Sequence, residues 1–361
     1  MSDKCAVRSE RAEEQKAQQQ PPSTREWREL YDAAAEFKQA ECWNWMRDTD
    51  LFGVQNPENG EIGYCCIMGR GGEHFALAVY LGTEGLETYW TIRRKGNYMH
   101  PFEALLLQKC LMASFEDRSL LAKRDVEVIK ALGLKFRGRN SWPLFRSYIP
   151  GFVPWHLNRE EAKFLVAALQ QSVDVARRFK ENPEMLNSQF RNRYLVRVPR
   201  KEGHGVVWRD EWIEPVVLER KEMAMQPVDE EYLNKIRKRR PQRNGVWEVD
   251  FFYCPQAVQE KDERPFYPRI ILLVNHSSGL IMGFKLPEPE TFASELQKAL
   301  IETVENLGII PEEVLVKREE TFKMLKPATY RLRIKLRKVK RLPLLEEAQE
   351  GFLGFQDERF L

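Results

Sequence analysis

Between Val246 and Phe352 the chain runs through an ordered succession of apolar segments that few folds can accommodate. Val246 to Cys254 (VWEVDFFYC) reads as a strand ended by Pro255, and Arg269 to Val274 (RIILLV) as a second strand. The turn Asn275-His276-Ser277-Ser278-Gly279 leads into a third, Leu280 to Leu286, so the last two form an antiparallel hairpin. Pro287 to Thr291 opens a helix that carries Phe292, Leu296, Leu300, Val304 and Leu307 on one face, and Gly308 ends it. Val314 to Val316 reads as a short strand, Glu320 to Leu325 as a short helix, Tyr330 to Val339 as an alternating strand and Pro343 to Phe352 as a closing helix. The order is β-β-β-α-β-α-β-α.

That string is the element order of the ribonuclease H-like fold. The segments WEVDFFY, IILLVNHSSGLIMGFKL and GIIPEEVLVKREETF resemble the catalytic domains of integrases and DDE transposases over residues 246–352. The resemblance implies that Asp250 holds the position of the first-strand catalytic aspartate. Such enzymes set three or four carboxylates, from the first strand, the end of the fourth strand and the last helix, around two metal ions about 3.5–4 Å apart. The fourth-strand position here reads Lys317-Arg318-Glu319-Glu320-Thr321-Phe322, which puts a cation where two dications must sit. A divergent nuclease would draw on Asp250, Glu319 or Glu320, and a last-helix glutamate among Glu346, Glu347 and Glu350, with Mg or Mn. Outside that reading no cofactor is expected, Asp250 is a strand residue satisfied by its neighbours, and the glutamates are solvated.

The first half carries different signals. A polar, Gln-rich segment over residues 1–22 ends in Pro21-Pro22 and reads as a disordered tail. Ser23 or Thr24 caps a helix whose Trp27, Leu30, Tyr31, Ala34 and Phe37 share a face. Gly53 to Gly63 carries turn signals, Ile62 to Met68 and Phe75 to Leu81 form a hairpin, and residues 101–116 give a short helix and a strand. Asp125 to Leu132 reads as a helix stopped at Gly133. Gly138 to Trp155 reads as a loop pinned by its aromatic residues, a lid over its own core or a stacking surface. Asn158 caps a long helix that ends before Pro183, and Tyr194 to Val198 and Val206 to Val217 supply closing strands. The expected domains are an α+β module over 23–220 and a ribonuclease H-like module over 246–361, joined by a basic linker over 221–245.

The formal net charge of +3 gives no global field, so a nucleic-acid partner must be argued locally. Two clusters offer themselves: Arg237, Lys238, Arg239 and Arg240 in the linker, and Arg331, Arg333, Lys335 and Arg337 as an outward row on the expected last strand. From Lys317 to Arg341 there are eleven Lys or Arg against two Glu. The same row also serves as edge protection against sheet aggregation. The six cysteines are scattered and read as structural thiols, and His74, His100, His156, His204 and His276 are isolated. No apolar run reaches the roughly 20 residues of a membrane span, and the N-terminus lacks the apolar core of a signal peptide, so no membrane partner and a cytoplasmic location are expected.

Nearly the whole chain also resembles a bacterial family in which one domain of unknown function precedes another. The segments FGVQNPENGEIGYCCIMG, FEDR, WPLFRSYIPGFVPW, Pro311 to Lys317 and Leu342 to Ala348 carry that likeness. It implies domain layout alone. The expectation is a non-catalytic intracellular binding or interaction protein on a degenerate ribonuclease H-like scaffold, with nucleic acid or protein as partner. The alternatives are a metal-dependent nuclease using Asp250 and a purely protein-binding module.

Overall fold

The computed structural model describes residues 20–96, 99–189, 192–203, 205–217, 233–234, 236, 238–239, 241–259, 263–288 and 291–357, with side chains to 351. The chain divides into two compact units, Met1–Leu218 and Glu219–Leu361. The expected tail lies almost wholly outside the described residues.

The first unit begins with α1 (Thr24–Ala40), where Ser23 and Glu26 form a capping box. Strands β1 (Phe52–Gln55), β2 (Ile62–Met68) and β3 (Ala76–Leu81) follow, then α2 (Gly82–Lys95), α3 (Pro101–Leu107) and β4 (Cys110–Glu116). After α4 (Lys123–Ala131) come β5 (Trp142–Tyr148), α5 (Arg159–Glu181), β6 (Tyr194–Glu202) and β7 (Gly205–Ile213). They make a seven-stranded sheet in the order β5-β4-β3-β2-β1-β6-β7, antiparallel except where β1 meets β6. Helices α1 and α5 bury Leu30, Phe37, Leu165 and Leu169 against one face, while α2 lays Leu86 and Tyr89 on the other with Tyr64, Cys66 and Tyr80. Burial pushes the Cys42 thiol up to about 11 and that of Cys65 to about 12, which makes them inert core residues.

Two elements differ from their sequence reading. Trp142 to Tyr148 is a strand paired along β4, and Trp155 returns to bond the Ser147 backbone, so the aromatic residues line an edge strand and its return instead of a loop. Pro143 is tolerated because β5 is at the sheet edge. Gly53 and its neighbours form β1, because Gly53 lets the Val196 side chain approach to where its own Cβ would stand at 2.8 Å.

The second unit holds β8 (Gln242–Arg243), β9 (Val246–Tyr253), β10 (Arg269–Asn275) and β11 (Ile281–Lys285). Then follow α6 (Phe292–Leu307), β12 (Ile309–Ile310), β13 (Glu313–Val316), α7 (Glu319–Leu332), β14 (Lys335–Lys338) and α8 (Pro343–Asp357). The five-stranded sheet runs β11-β10-β9-β13-β14, with β9 to β11 antiparallel and β13 and β14 parallel to β9. Helices α6 and α7 pack on one face through Trp247, Val249, Phe251, Leu296 and Leu325, and α8 covers the other through Phe252, Leu272, Leu315 and Leu345. This is the α+β, ribonuclease H-like arrangement. Part of the expected linker belongs to this unit: Leu233 and Ile236 are buried in its core, and β8 pairs with β12. The expected strand from Tyr330 is corrected. Pro327 sits within α7 without ending it, the helix runs to Leu332, Arg333 turns left-handed at φ 54°, and only Lys335–Lys338 is extended.

The first unit contains a half-buried ion pair between α4 and β5. The Asp125 carboxylate receives two Arg146 N–H groups at 2.9 and 2.6 Å and the Ala122 N–H at 2.8 Å, with His156 Nδ1 at 3.5 Å. Burial raises its pKa, but Arg146 and His156 outweigh this and hold it well below the usual carboxylate range. A depressed folded pKa contributes stability that is complete above the unfolded value of about 3.9 and lost as pH falls below it. Urea midpoints followed by circular dichroism should therefore drop as pH falls from about 4 toward 2 and drop less in Asp125→Asn. Arg146→Met, which leaves the carboxylate without its main partner, should cost about 1–3 kcal/mol at neutral pH.

Candidate functional site

Alternation along β9 points Glu248 and Asp250 to the face covered by α8. Both are buried, Glu248 fully and Asp250 to 2% exposure. Charges so placed need partners, and the partners are the starts of two helices.

Asp250 serves the loop between β13 and α7. Its Oδ2 accepts the backbone N–H of Lys317 at 2.9 Å and of Arg318 at 3.1 Å, and its Oδ1 accepts the Thr321 hydroxyl at 2.6 Å and the Phe251 N–H at 2.9 Å. Arg318 is the N-cap residue of α7, so the negative charge lies at the positive end of that helix. A carboxylate has about four lone-pair sites, and four donors fill them. Glu248 does the same for α8: its Oε2 accepts the Leu345 N–H at 2.8 Å, and its Oε1 lies 2.6 Å from His276 Nδ1.

The remaining carboxylates are turned to cations. Glu346 meets Lys317 Nζ at 2.8 Å and Arg341 at 2.9 Å; burial raises its pKa, but these two cations outweigh it and hold the carboxyl below its ordinary range. Glu319 pairs with Lys338, and Glu320 lies 3.8 Å from Arg269. Glu347 and Glu350 are exposed on α8. On the α6–α7 face of the sheet, the Arg318 guanidinium covers the Phe251 ring at 4.8 Å and Arg269 covers Phe292 at 3.6 Å, where burial lowers the pKa of Arg269. Among the described residues no three His, Cys, Asp or Glu are placed to hold a metal ion. The side chains present do not fit a pair of dications: Asp250 has no lone pair to offer, and the Lys317 ammonium bridges to the last helix.

The expected cationic row is not assembled either. Arg331 is on the last turn of α7 and Arg333 caps it, while Lys335 and Arg337 share Glu313 at 3.3 and 2.7 Å. The Arg337 hydrogen bond is the leading reason that Glu313 has a lowered pKa. In the basic segment before β8, Lys238 is exposed and Arg239 pairs with Glu305 at 2.7 Å; Arg237 and Arg240 lie outside the described residues. Sequence reasoning missed Glu248 and took His276 as isolated. The signal was present in VWEVDFFY, where two acids two residues apart share one face of a strand that is otherwise apolar.

Residues 27–197 match a domain of unknown function (DUF7309), and residues 232–353 match a second domain of unknown function (DUF6930). No curated protein matches the sequence. The HTLV-2 integrase catalytic core domain, solved with magnesium in a trimeric form, is similar at 17% identity over 30% of this chain, with a TM-score of 0.23. The chain spans 66%, just under two thirds, of that integrase core. The simian T-cell lymphotropic virus intasome in complex with PP2A regulatory subunit B56 gamma is similar at 16% identity, over 33% of this chain and 44% of that one, with a TM-score of 0.24.

If Asp250 is the anchor of α7, removing it should loosen that helix before anything else. Asp250→Ala removes the side-chain acceptor of three backbone N–H groups and a buried hydroxyl, at about 1–3 kcal/mol for an unsatisfied group. Hydrogen exchange read by mass spectrometry should quicken across residues 313–325 in this variant and in Thr321→Val to a lesser degree. The exchange of β10 should change least.

Proposed function

The chain is built of two domains of unknown function, DUF7309 followed by DUF6930, and we propose that the second is a non-catalytic binding module on a ribonuclease H-like scaffold. The observation that carries this reading is the saturated carboxylate of Asp250. Two-metal chemistry requires that its carboxylates leave lone pairs for the ions and converge within reach of them. Asp250 gives its lone pairs to Lys317, Arg318, Thr321 and Phe251, and Glu319, Glu320 and Glu346 each face a cation. In this reading the module takes neither Mg nor Mn and breaks no phosphodiester bond.

The test is an incubation of the full chain with single- and double-stranded DNA and RNA, with Mg²⁺ or Mn²⁺, followed on denaturing gels. No product is expected, and Asp250→Asn should behave as the parent does. Metal-dependent cleavage that disappears in Asp250→Asn would overturn the proposal and restore Asp250 as a catalytic residue.

A further inference from the structure

We infer that the exposed face of α7 is a single-stranded nucleic-acid surface, with Lys323, Lys326 and Arg333 on phosphates and Tyr330 stacked on a base. This rests on the binding-module reading and names its partner.

A helical period places Lys323, Lys326 and Tyr330 along one side of α7, a stripe about 10 Å long, and the exposed Arg333 follows directly at the helix's C-cap. The opposite side, with Met324, Leu325, Ala328 and Leu332, is buried in the core. All four residues are exposed, and Tyr330, at 79%, is the most exposed aromatic side chain among the described residues. A ring left in water has no packing reason to be there and offers one face to a planar partner.

The charge around it is one-signed. From Thr321 to Leu345 there are nine Lys or Arg and no Asp or Glu. Among the described residues, carboxylates from outside this stretch take Lys335 and Arg337 (Glu313), Lys338 (Glu319) and Arg341 (Glu346). Among the described residues no carboxylate pairs with Lys323, Lys326 or Arg333. The protein thus neutralises the β14 end of the basic stretch internally and leaves the α7 stripe positive around an open aromatic ring. A basic track with a stacking platform is the pattern that binds unpaired strands without reading their sequence. A duplex presents no free base face to Tyr330. An anionic lipid surface or an acidic peptide would meet the cations but give the ring nothing to stack on. DNA and RNA share the recognised chemistry, phosphate and base.

Fluorescence anisotropy of short labelled oligo(dT) and oligo(rU) with the full chain, over a salt series, tests this; the two oligomers distinguish the sources. Single strands should bind more tightly than a duplex of equal length. Tyr330→Ala should weaken binding by roughly tenfold or more, within the range for one stacked base. Lys323→Gln and Lys326→Gln should each flatten the slope of log K against log salt by about 0.7. Arg337→Gln, whose guanidinium is engaged by Glu313, should leave both nearly unchanged. These side chains are exposed, so circular dichroism should match the parent throughout. The inference fails if neither oligomer binds at low salt, if duplex binds as well as single strand, or if Tyr330→Ala binds like the parent. It fails equally if phosphatidylcholine–phosphatidylserine vesicles bind while the oligomers do not. None of these outcomes touches the non-catalytic reading, which falls only to metal-dependent cleavage.

Discussion

Asp250 lies in the middle of the central strand of its sheet, and the β13–α7 connection is closed on it by two backbone N–H groups and a threonine hydroxyl. An ionised carboxylate in such a place is costly unless every oxygen is met. Here the donors are the otherwise unpaired amides at a helix start, so one contact satisfies a buried charge and caps a helix. Glu248 repeats the arrangement two residues earlier for α8. Helices from both faces of the sheet are therefore indexed to one strand, and Lys317 ties them to each other by reaching from the first loop to Glu346 on the last helix.

A ribonuclease H-like sheet brings the start of α7, the start of α8 and the middle of β9 together whatever the side chains are. Positive charge has to be supplied at that junction because two acids are buried there. Dications can supply it, but so can helix dipoles and a lysine. In this chain the second solution is complete: the amides before α7, the amide of Leu345, His276, Lys317 and Arg341 account for the acids nearest the junction. The cation in the fourth-strand position is then the element that holds the last helix down.

Most of the second unit was legible in its sequence because its elements announce themselves locally. The β9–β10–β11 meander is a run of apolar strands broken by Pro255 and Gly279, and Gly308 marks the end of α6 through its left-handed φ of 65°. The failure at residues 330–339 is also local. Arg-Leu-Arg-Ile-Lys-Leu-Arg alternates with period two, but its first residues complete the last turn of α7, and the alternation survives only because Arg333 turns the chain at the boundary. The role of Asp250 was not legible, because its partners are 67 and 68 residues away. A polar residue on a buried strand face announces that it has a partner without saying whether the partner is a metal or an amide.

The two halves of the basic stretch have opposite settings. On β14 an edge strand of a parallel pair carries Lys335 and Arg337 opposite Glu313 on β13, so the charges that keep the edge from pairing with another sheet are neutralised within the sheet. On α7 no carboxylate among the described residues pairs with Lys323 or Lys326, since the acids of that helix are confined to its first turn, where they suit the dipole and are held by Lys338 and Arg269. Charge segregation of this kind follows from helix electrostatics as far as the first turn and no further. Beyond it, nothing in the fold requires Lys323, Lys326 and Arg333 to lack a carboxylate partner among the described residues around an exposed tyrosine, and a feature the fold does not require is where a partner's requirements become visible.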